Sequence, residues 1–405
     1  MGRTFTESSG REEHAALEGI TVVSMEQAVA APFASRQLAD LGARVIKIER
    51  PGVGDFARAY DRTVHGESSY FVWLNRSKES LTLNVKSPEG LAIIHELLSG
   101  ADVFLNNLGP GAIARMGLDA ETLAAAYPQL AHATISGYGT TGAWSHRKAY
   151  DLLVQSEAGL VSLTGEPDSV ARVGISVADI AAGMYAYSGI LTALLHRTST
   201  GAAAPVEVSL FDALAEWMGN PAYYTMYGGT SPQRVGAQHS SIAPYGPFTS
   251  GEDGIIMLSV QSQGEWQAFC EIVMADPALA THAPFVDNTA RCANRGELDA
   301  TIGRRFAELR TAEAIALLDE AKIANARVNT IAEFVEHPAL SSRDRWVTVD
   351  SPGGRIRALK PPASIGGIEP RMDAVPALGV HTDAILASLG HSAETIASLR
   401  SSGVL

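Results

Sequence analysis

The chain has 405 residues, enough for two or three domains, and no run that approaches the roughly eighteen unbroken apolar residues of a membrane span. Hydrophobic residues make up 46% and charged residues 19%, the balance of a globular protein. A net charge of −13 argues against nucleic acid or an anionic membrane as the main partner, while leaving room for a local basic pocket.

Residues 1–16 are polar, lack the apolar core of a targeting peptide, and read as a disordered tail. From Leu17 the pattern alternates strand and helix. Ile20 to Met25 is a β-branched run; Pro32 to Gly42 is helical with Gly42 as its stop; Arg44 to Glu49 is a second strand. Ser80 to Val85 reads as a third strand. Ser87-Pro88-Glu89 then starts a helix, with a Ser cap, Pro in the first turn and an acid at the positive end. Strands at Val103–Leu105 and His132–Ser136 flank a helix near Ala120–Tyr127. Strands separated by helices of this length make βαβ units and a parallel sheet covered on both faces.

The stretch Ala171 to Gly189, ARVGISVADIAAGMYAYSG, runs from a β-prone segment (Val173, Ile175, Val177) into a helix of small residues. Ala181, Ala182, Gly183 and Ala186 leave room for another backbone to come close. Asp179 sits at the junction, where orphan N–H groups and the helix dipole favour an anion; taken alone, it reads as an N-cap. Val206–Ser209 is one more strand, and Ser209 to Asp212 supplies a cap for an aromatic-rich helix that reads as continuous to Tyr227. Loops rich in Pro and Gly, a strand at Ile255–Val260 and helices around Trp266–Val273 and Thr311–Ala321 then suggest a second domain.

Few short motifs carry chemistry on their own. Gly52-Val53-Gly54-Asp55-Phe56-Ala57 fits a dinucleotide fingerprint, but Asp55 would put an anion where a pyrophosphate must lie. No Walker A, H-E-x-x-H or G-x-S-x-G pattern occurs. Cys270 and Cys292 are far apart and without paired His, which fits two ordinary thiols in a reducing cytoplasm and no metal site.

Longer blocks are more specific. ADLGARVIKIERPGVGD (39–55), LNVKSPEG (83–90), NNLGPGAIARMGL (106–118), SGYGTTG (136–142), YDLLVQSEAGL (150–160), VADIAAGMYAYSGILTALLHRTSTG (177–201) and VEVSLFDA (206–213) occur in this order. Together they resemble the class III CoA-transferase (CaiB/BaiF) family, which includes formyl-CoA transferases, carnitine-type CoA-transferases and α-methylacyl-CoA racemases. The resemblance runs from about residue 17 to the end of the chain.

The resemblance implies an α/β fold with a Rossmann-like large domain (17–225), a smaller α+β domain (226–330) and a C-terminal segment (331–405) returning to the large domain. It also implies an interlocked homodimer, with CoA between the large domain of one subunit and the small domain of the other. The aspartate of the A-D-x-x-x-G block, here Asp179, would be the catalytic nucleophile, using coenzyme A as co-substrate with no permanently bound cofactor. Arg50, Lys86 and Arg115 match CoA-contacting positions; for each the ordinary alternative is a solvated surface cation. Asp151 is placed with them as a CoA-site residue, a second carboxylate of the site, with the start of the following helix as the equal alternative. Racemases of the family carry His-Asp where this chain has Tyr150-Asp151, and a tyrosine titrating near 10 is a poor base at neutral pH.

Val29 stands where formyl-CoA transferases have Gln, and the segment 234–248 lacks their glycine run. An oxalate/formate pair is therefore not expected. The blocks WMGNPAYY (217–224) and GAQHSSIAPYGPF (236–248) resemble the branch of the family that acts on C4 and C5 dicarboxylates, which implies substrates such as succinate, itaconate, mesaconate and citramalate. Arg76, Arg172, Arg234 and His239 are candidates to hold a distal carboxylate, although Arg234 and His239 could equally only order a loop. The alternatives are a racemase or epimerase of the same family and a non-catalytic CoA-binding protein.

Overall fold

The structure is a computed structural model that describes residues 15–251 and 254–405. Residues 1–14 of the expected tail lie outside the described residues. The chain divides into two compact units: residues through Ala158, Gly174–Gly219 and Ser341–Leu405 form one, and Gly159–Val173 with Asn220–Leu340 the other.

In the larger unit six strands form one parallel sheet: β1 (Thr21–Met25), β2 (Arg44–Glu49), β3 (Lys78–Thr82), β4 (Val103–Asn106), β5 (Ala131–Ser136) and β6 (Val206–Ser209). Their order is β3-β2-β1-β4-β5-β6, the doubly wound arrangement that the alternating sequence pattern predicts. Runs such as Val22-Val23 and Val45-Ile46 are buried on both faces, as a sheet covered by helices requires. The chain winds outward from β1 in one direction and from β4 in the other. The crevice beyond the carboxyl ends of β1 and β4 is therefore the switch point, where ligands of such sheets bind.

β3 starts and ends two to three residues earlier than the β-branched pattern suggests. Asn84 has left the strand, and its N–H donates to the carbonyl of Val404. Ser87 accepts from the Gly90 N–H and, with Pro88, opens the helix Pro88–Ser99, as the Ser-Pro-Glu triplet predicts. The aromatic-rich helix expected to run to Tyr227 is two helices, Leu210–Trp217 and Gly219–Gly228. The break falls at Met218, with Gly219 opening the second helix and Pro221 in its first turn.

Three helices matter for the site: α1 (Ala30–Asp40), α2 (Asp151–Glu157) and α3 (Val177–Thr200). By length and composition α3 is apolar enough to cross a membrane. Here Ala178, Ala181, Ala182, Ala186 and Ile190 are buried, and the helix packs along α1 and against β5 and β6. A Cβ on Gly183 would stand 2.6 Å from the Ala30 carbonyl oxygen, so α1 is the backbone for which the small residues make room. The expected β-prone lead-in is not a strand; residues 171–176 are irregular and Val177 is the first helical residue.

The smaller unit has an antiparallel sheet in the order Ala324–Arg327, Ile255–Ser259, Tyr245–Thr249. Its own core gathers Trp266, Phe269, Phe285 and Phe306. Residues 159–173 belong to this unit, whereas the sequence pattern runs the large domain unbroken to 225. The reason is Arg234, whose guanidinium donates to the carbonyls of Ser162, Glu166 and Pro167.

Candidate functional site

The site is built on the loops that leave β1 and β4. Gln27 N–H donates to Asn107 Oδ1 (2.9 Å), and Asn107 Nδ2 donates back to the Gln27 carbonyl (2.8 Å), clipping the two loops together at the switch point. Ala28 adopts φ +61°, a strained conformation for a residue with a Cβ, and its N–H is held by Asp55 Oδ1 at 3.1 Å.

Beneath these loops lies a dry cluster of charges. Lys47 Nζ bonds Asp55 (2.7 Å) and approaches Glu26 (3.4 Å); Lys78 Nζ bonds Glu26 (2.7 Å), and all four side chains are fully buried or nearly so. Two lysines thus balance two acids. Burial alone would raise the Glu26 carboxyl, but Lys78 and Lys47 together hold it below the usual carboxylate range. Glu49 likewise is opposed by burial, yet its bonds to Arg58 and the charge of Lys47 bring it down to about 2. Burial is the main influence on Lys78 and takes it down to about 8 against the pull of Glu26. Asp55, which looked like a flaw in a nucleotide fingerprint, caps the turn Phe56–Ala59 by accepting from the Ala57 N–H.

Over this cluster opens a cleft of about 940 Å³, lined by residues that include Gln27, Arg50, Leu83, Lys86, Leu108 and Arg115. Its buried acids Glu26, Glu49 and Asp55 are all matched by lysine or arginine. Arg50, Lys86 and Arg115 are exposed and, among the described residues, enter no ion pair. The cleft therefore presents uncompensated positive charge on an acidic protein.

Asp179 stands apart from this balance. It is the third residue of α3, not its N-cap; the cap position is Ser176, whose side chain makes no capping bond. Instead Asp151, the first residue of α2, reaches across, and its Oδ1 accepts from the N–H groups of Ala178 (2.8 Å) and Asp179 (3.4 Å). Among the described residues Asp179 has no cationic partner. Burial, and then the Asp151 charge, push its carboxyl up to about 7. Tyr60, which sequence reasoning did not single out, belongs to this neighbourhood. Burial and the charges of Asp55 and Asp179 hold its phenol up at about 12, so it stays protonated, and it packs edge-on against Tyr70. Asp55 thus links cleft and acid: one oxygen ties the Ala28 loop to the turn that leads to Tyr60.

Residues 17–382 match the sequence pattern of CoA-transferase family III. The chain belongs to that family. It is a CoA-transferase, an enzyme with coenzyme A as co-substrate. It is 33% identical to the succinyl-CoA:glutarate CoA-transferase of Mus musculus, over 96% of this chain and 90% of the relative. It is also 33% identical to the acetyl-CoA:oxalate CoA-transferase of Acetobacter aceti, over 87% and 92%. Among solved structures, a CaiB/BaiF family protein from Brucella suis superposes with a TM-score of 0.82 at 31% identity, covering 93% of this chain and 99% of that one.

The substrate-site candidates of this transferase fall in different places. Arg76 is buried and its guanidinium is spent on Asp40 (Nε–Oδ1 2.8 Å, Nη2–Oδ2 2.7 Å), so it is not open to a substrate carboxylate. Its position just before β3 gave no sign of Asp40, thirty-six residues away. Val29 is buried at the start of α1, and Tyr150 is exposed beside Asp151. Arg172, Arg234 and His239 lie in the smaller unit. Arg172 is exposed and donates to the Val173 carbonyl. Arg234 spends its donors on three carbonyls. His239 stacks on Tyr245 at 5.1 Å and accepts from the Ser241 N–H. Arg234 and His239 thus do in this fold what the loop-ordering alternative describes.

Proposed function

We propose that the enzyme moves CoA from succinyl-CoA to a second C4 or C5 dicarboxylate, such as glutarate, itaconate, mesaconate or citramalate, through Asp179. The observation that carries this reading is an acid with no cation beside it, titrating near neutrality at the head of the central helix. A desolvated carboxylate is a better nucleophile than a hydrated or ion-paired one. In the proposed sequence an Asp179 oxygen attacks the thioester carbonyl carbon, the C–S bond breaks, and CoA leaves as its thiolate. The thiolate then attacks the Asp179 side-chain carbonyl of the mixed anhydride, releasing the donor acid and leaving an aspartyl-CoA thioester. The acceptor carboxylate repeats both steps in reverse, so no net proton or electron is consumed. Arg50, Lys86 and Arg115 would hold the phosphates of CoA by charge-assisted hydrogen bonds.

The larger acids are favoured over oxalate and formate by Val29, an apolar residue buried at the start of α1 where formyl-CoA transferases have an amide. The working form is proposed to be a homodimer in the cytoplasm; Cys270 and Cys292 are both free thiols, consistent with a reducing compartment. Steady-state CoA transfer from succinyl-CoA to each acid tests the assignment. The expected result is transfer to at least one C4 or C5 acid, little to oxalate or formate, and at least about a thousandfold loss of rate in Asp179→Ala. Transfer that persists in Asp179→Ala would remove this mechanism. Exchange of an acyl-CoA α-proton with deuterium, without any acceptor acid, would instead favour the racemase.

A further inference from the structure

Asp179 cannot be fixed in place by the helix that carries it. The first turn of α3 has orphan N–H donors, and the Ser176 side chain meets none of them. Two are met from another helix by one oxygen of Asp151, at 2.8 and 3.4 Å. The other oxygen accepts from Gln155 Nε2 at 2.7 Å. Gln155 is itself fully buried, and the same Nε2 lies 3.5 Å from the carbonyl of Ile175, just before α3. Both oxygens of Asp151 are thus engaged by protein, in a clamp that joins α2, the lead-in to α3 and the backbone of Asp179.

We propose that Asp151 is a positioning residue of the transferase, holding the backbone of Asp179 through its side chain and acting on CoA only through that residue. The inference rests on the reading of Asp179 as nucleophile and gives Asp151 a role other than CoA binding. The clamp has two separable effects. As a hydrogen-bond acceptor it anchors the head of α3; as an anion it opposes ionisation of Asp179.

Other groups around α3 do not duplicate this. Tyr60, reached through the Asp55 turn, is a neutral phenol next to Asp179, and Tyr150 lies near Tyr60. On α1, Arg36 and Asp40 pair with each other, and Asp40 acts on Tyr187, two turns along α3. His132 of β5 is held neutral, burial taking it down to about 4, and Glu207 of β6 accepts from Thr140. On the helix Leu210–Trp217, Asp212 accepts from the Ser209 hydroxyl, and neither it nor Glu216 acts on Asp179.

The test compares Asp151→Asn, which keeps an acceptor oxygen but loses the charge, with Asp151→Ala, which loses both. The carboxyl carbon of Asp179 is followed by ¹³C NMR in aspartate-labelled protein, assigned with Asp179→Ala. In Asp151→Asn its midpoint is expected to fall by about half a unit to one unit, remaining above the ordinary carboxylate value because burial is the larger cause. In Asp151→Ala the amide protons of Ala178 and Asp179 exchange faster, and kcat falls about tenfold at every pH, while KM for succinyl-CoA stays within about twofold. An unmoved Asp179 titration in Asp151→Asn would overturn the proposal. So would an Asp151→Ala enzyme that keeps its kcat and raises KM about tenfold, the signature of a CoA contact. The titration and exchange readouts do not require turnover. Loss of the nucleophile reading would appear separately, as full activity in Asp179→Ala.

Discussion

Two groups of buried acids in the larger unit obey opposite rules. Glu26, Glu49 and Asp55 sit among Lys47, Lys78 and Arg58, every one with a cation at bonding distance, and the carboxyls of Glu26 and Glu49 are held low. Asp179 sits with a second acid and the phenol of Tyr60, without a cation among the described residues, and its carboxyl is pushed up to about 7. Burial acts in the same direction on all those titrations, so burial does not separate the groups; the partners do. The first set is a balanced scaffold beneath the cleft, while the second leaves an acid without a matching cation. A buried charged network is not by itself a sign of chemistry, and here the unbalanced member is the informative one.

The largest expected effect breaks the balance of the first set. Lys78→Met leaves Glu26 to share Lys47 with Asp55, and should destabilise the fold by about 3–5 kcal/mol, read from urea midpoints at pH 7. A change below about 1 kcal/mol would mean that the cluster is not the scaffold described.

The second effect sharpens the contrast from the other side. Because the folded Asp179 holds its proton up to about 7, the fold binds more protons than the unfolded chain between about pH 4 and 7. Stability should therefore be lost as pH rises through that window, with the full cost present above it. Asp179→Asn, measured before the amide can revert, should be more stable than wild type at pH 8 by an amount on the order of 4 kcal/mol. The difference should vanish near pH 4. Equal stability at both pH values would place Asp179 among ordinary solvated acids.

Most of the fold was legible because strand and helix periods are local. Arg44–Glu49 and Val206–Ser209 fall on the residues their patterns mark, and the Ser87 cap forms as its triplet implies. What failed was decided by partners distant in sequence. β3 shifted because Asn84 meets Val404, and residues 159–173 joined the smaller unit through Arg234. The site shows the same division. Blocks of sequence drew attention to Arg50, Lys86 and Arg115, and the fold gathers them on one cleft. Arg76 looked open to an anion until Asp40 appeared beside it. Taken alone Asp179 reads as a cap, because local logic supplies the cap from the same helix, and only the family blocks point to it as nucleophile; in the fold Asp151 caps this helix from another one. Tyr60 left no motif at all; only the turn capped by Asp55 brings it to Asp179.

The measurement that bears most directly on Asp179 is the mass of the intact protein after mixing with succinyl-CoA, taken across pH 5.5 to 8.5, with the modified peptide mapped. The account predicts a CoA-sized adduct on Asp179, forming faster as pH rises through about 7 and discharged by a C4 or C5 dicarboxylate. An adduct on another residue, or transfer at full rate with Asp179 never modified, would contradict it.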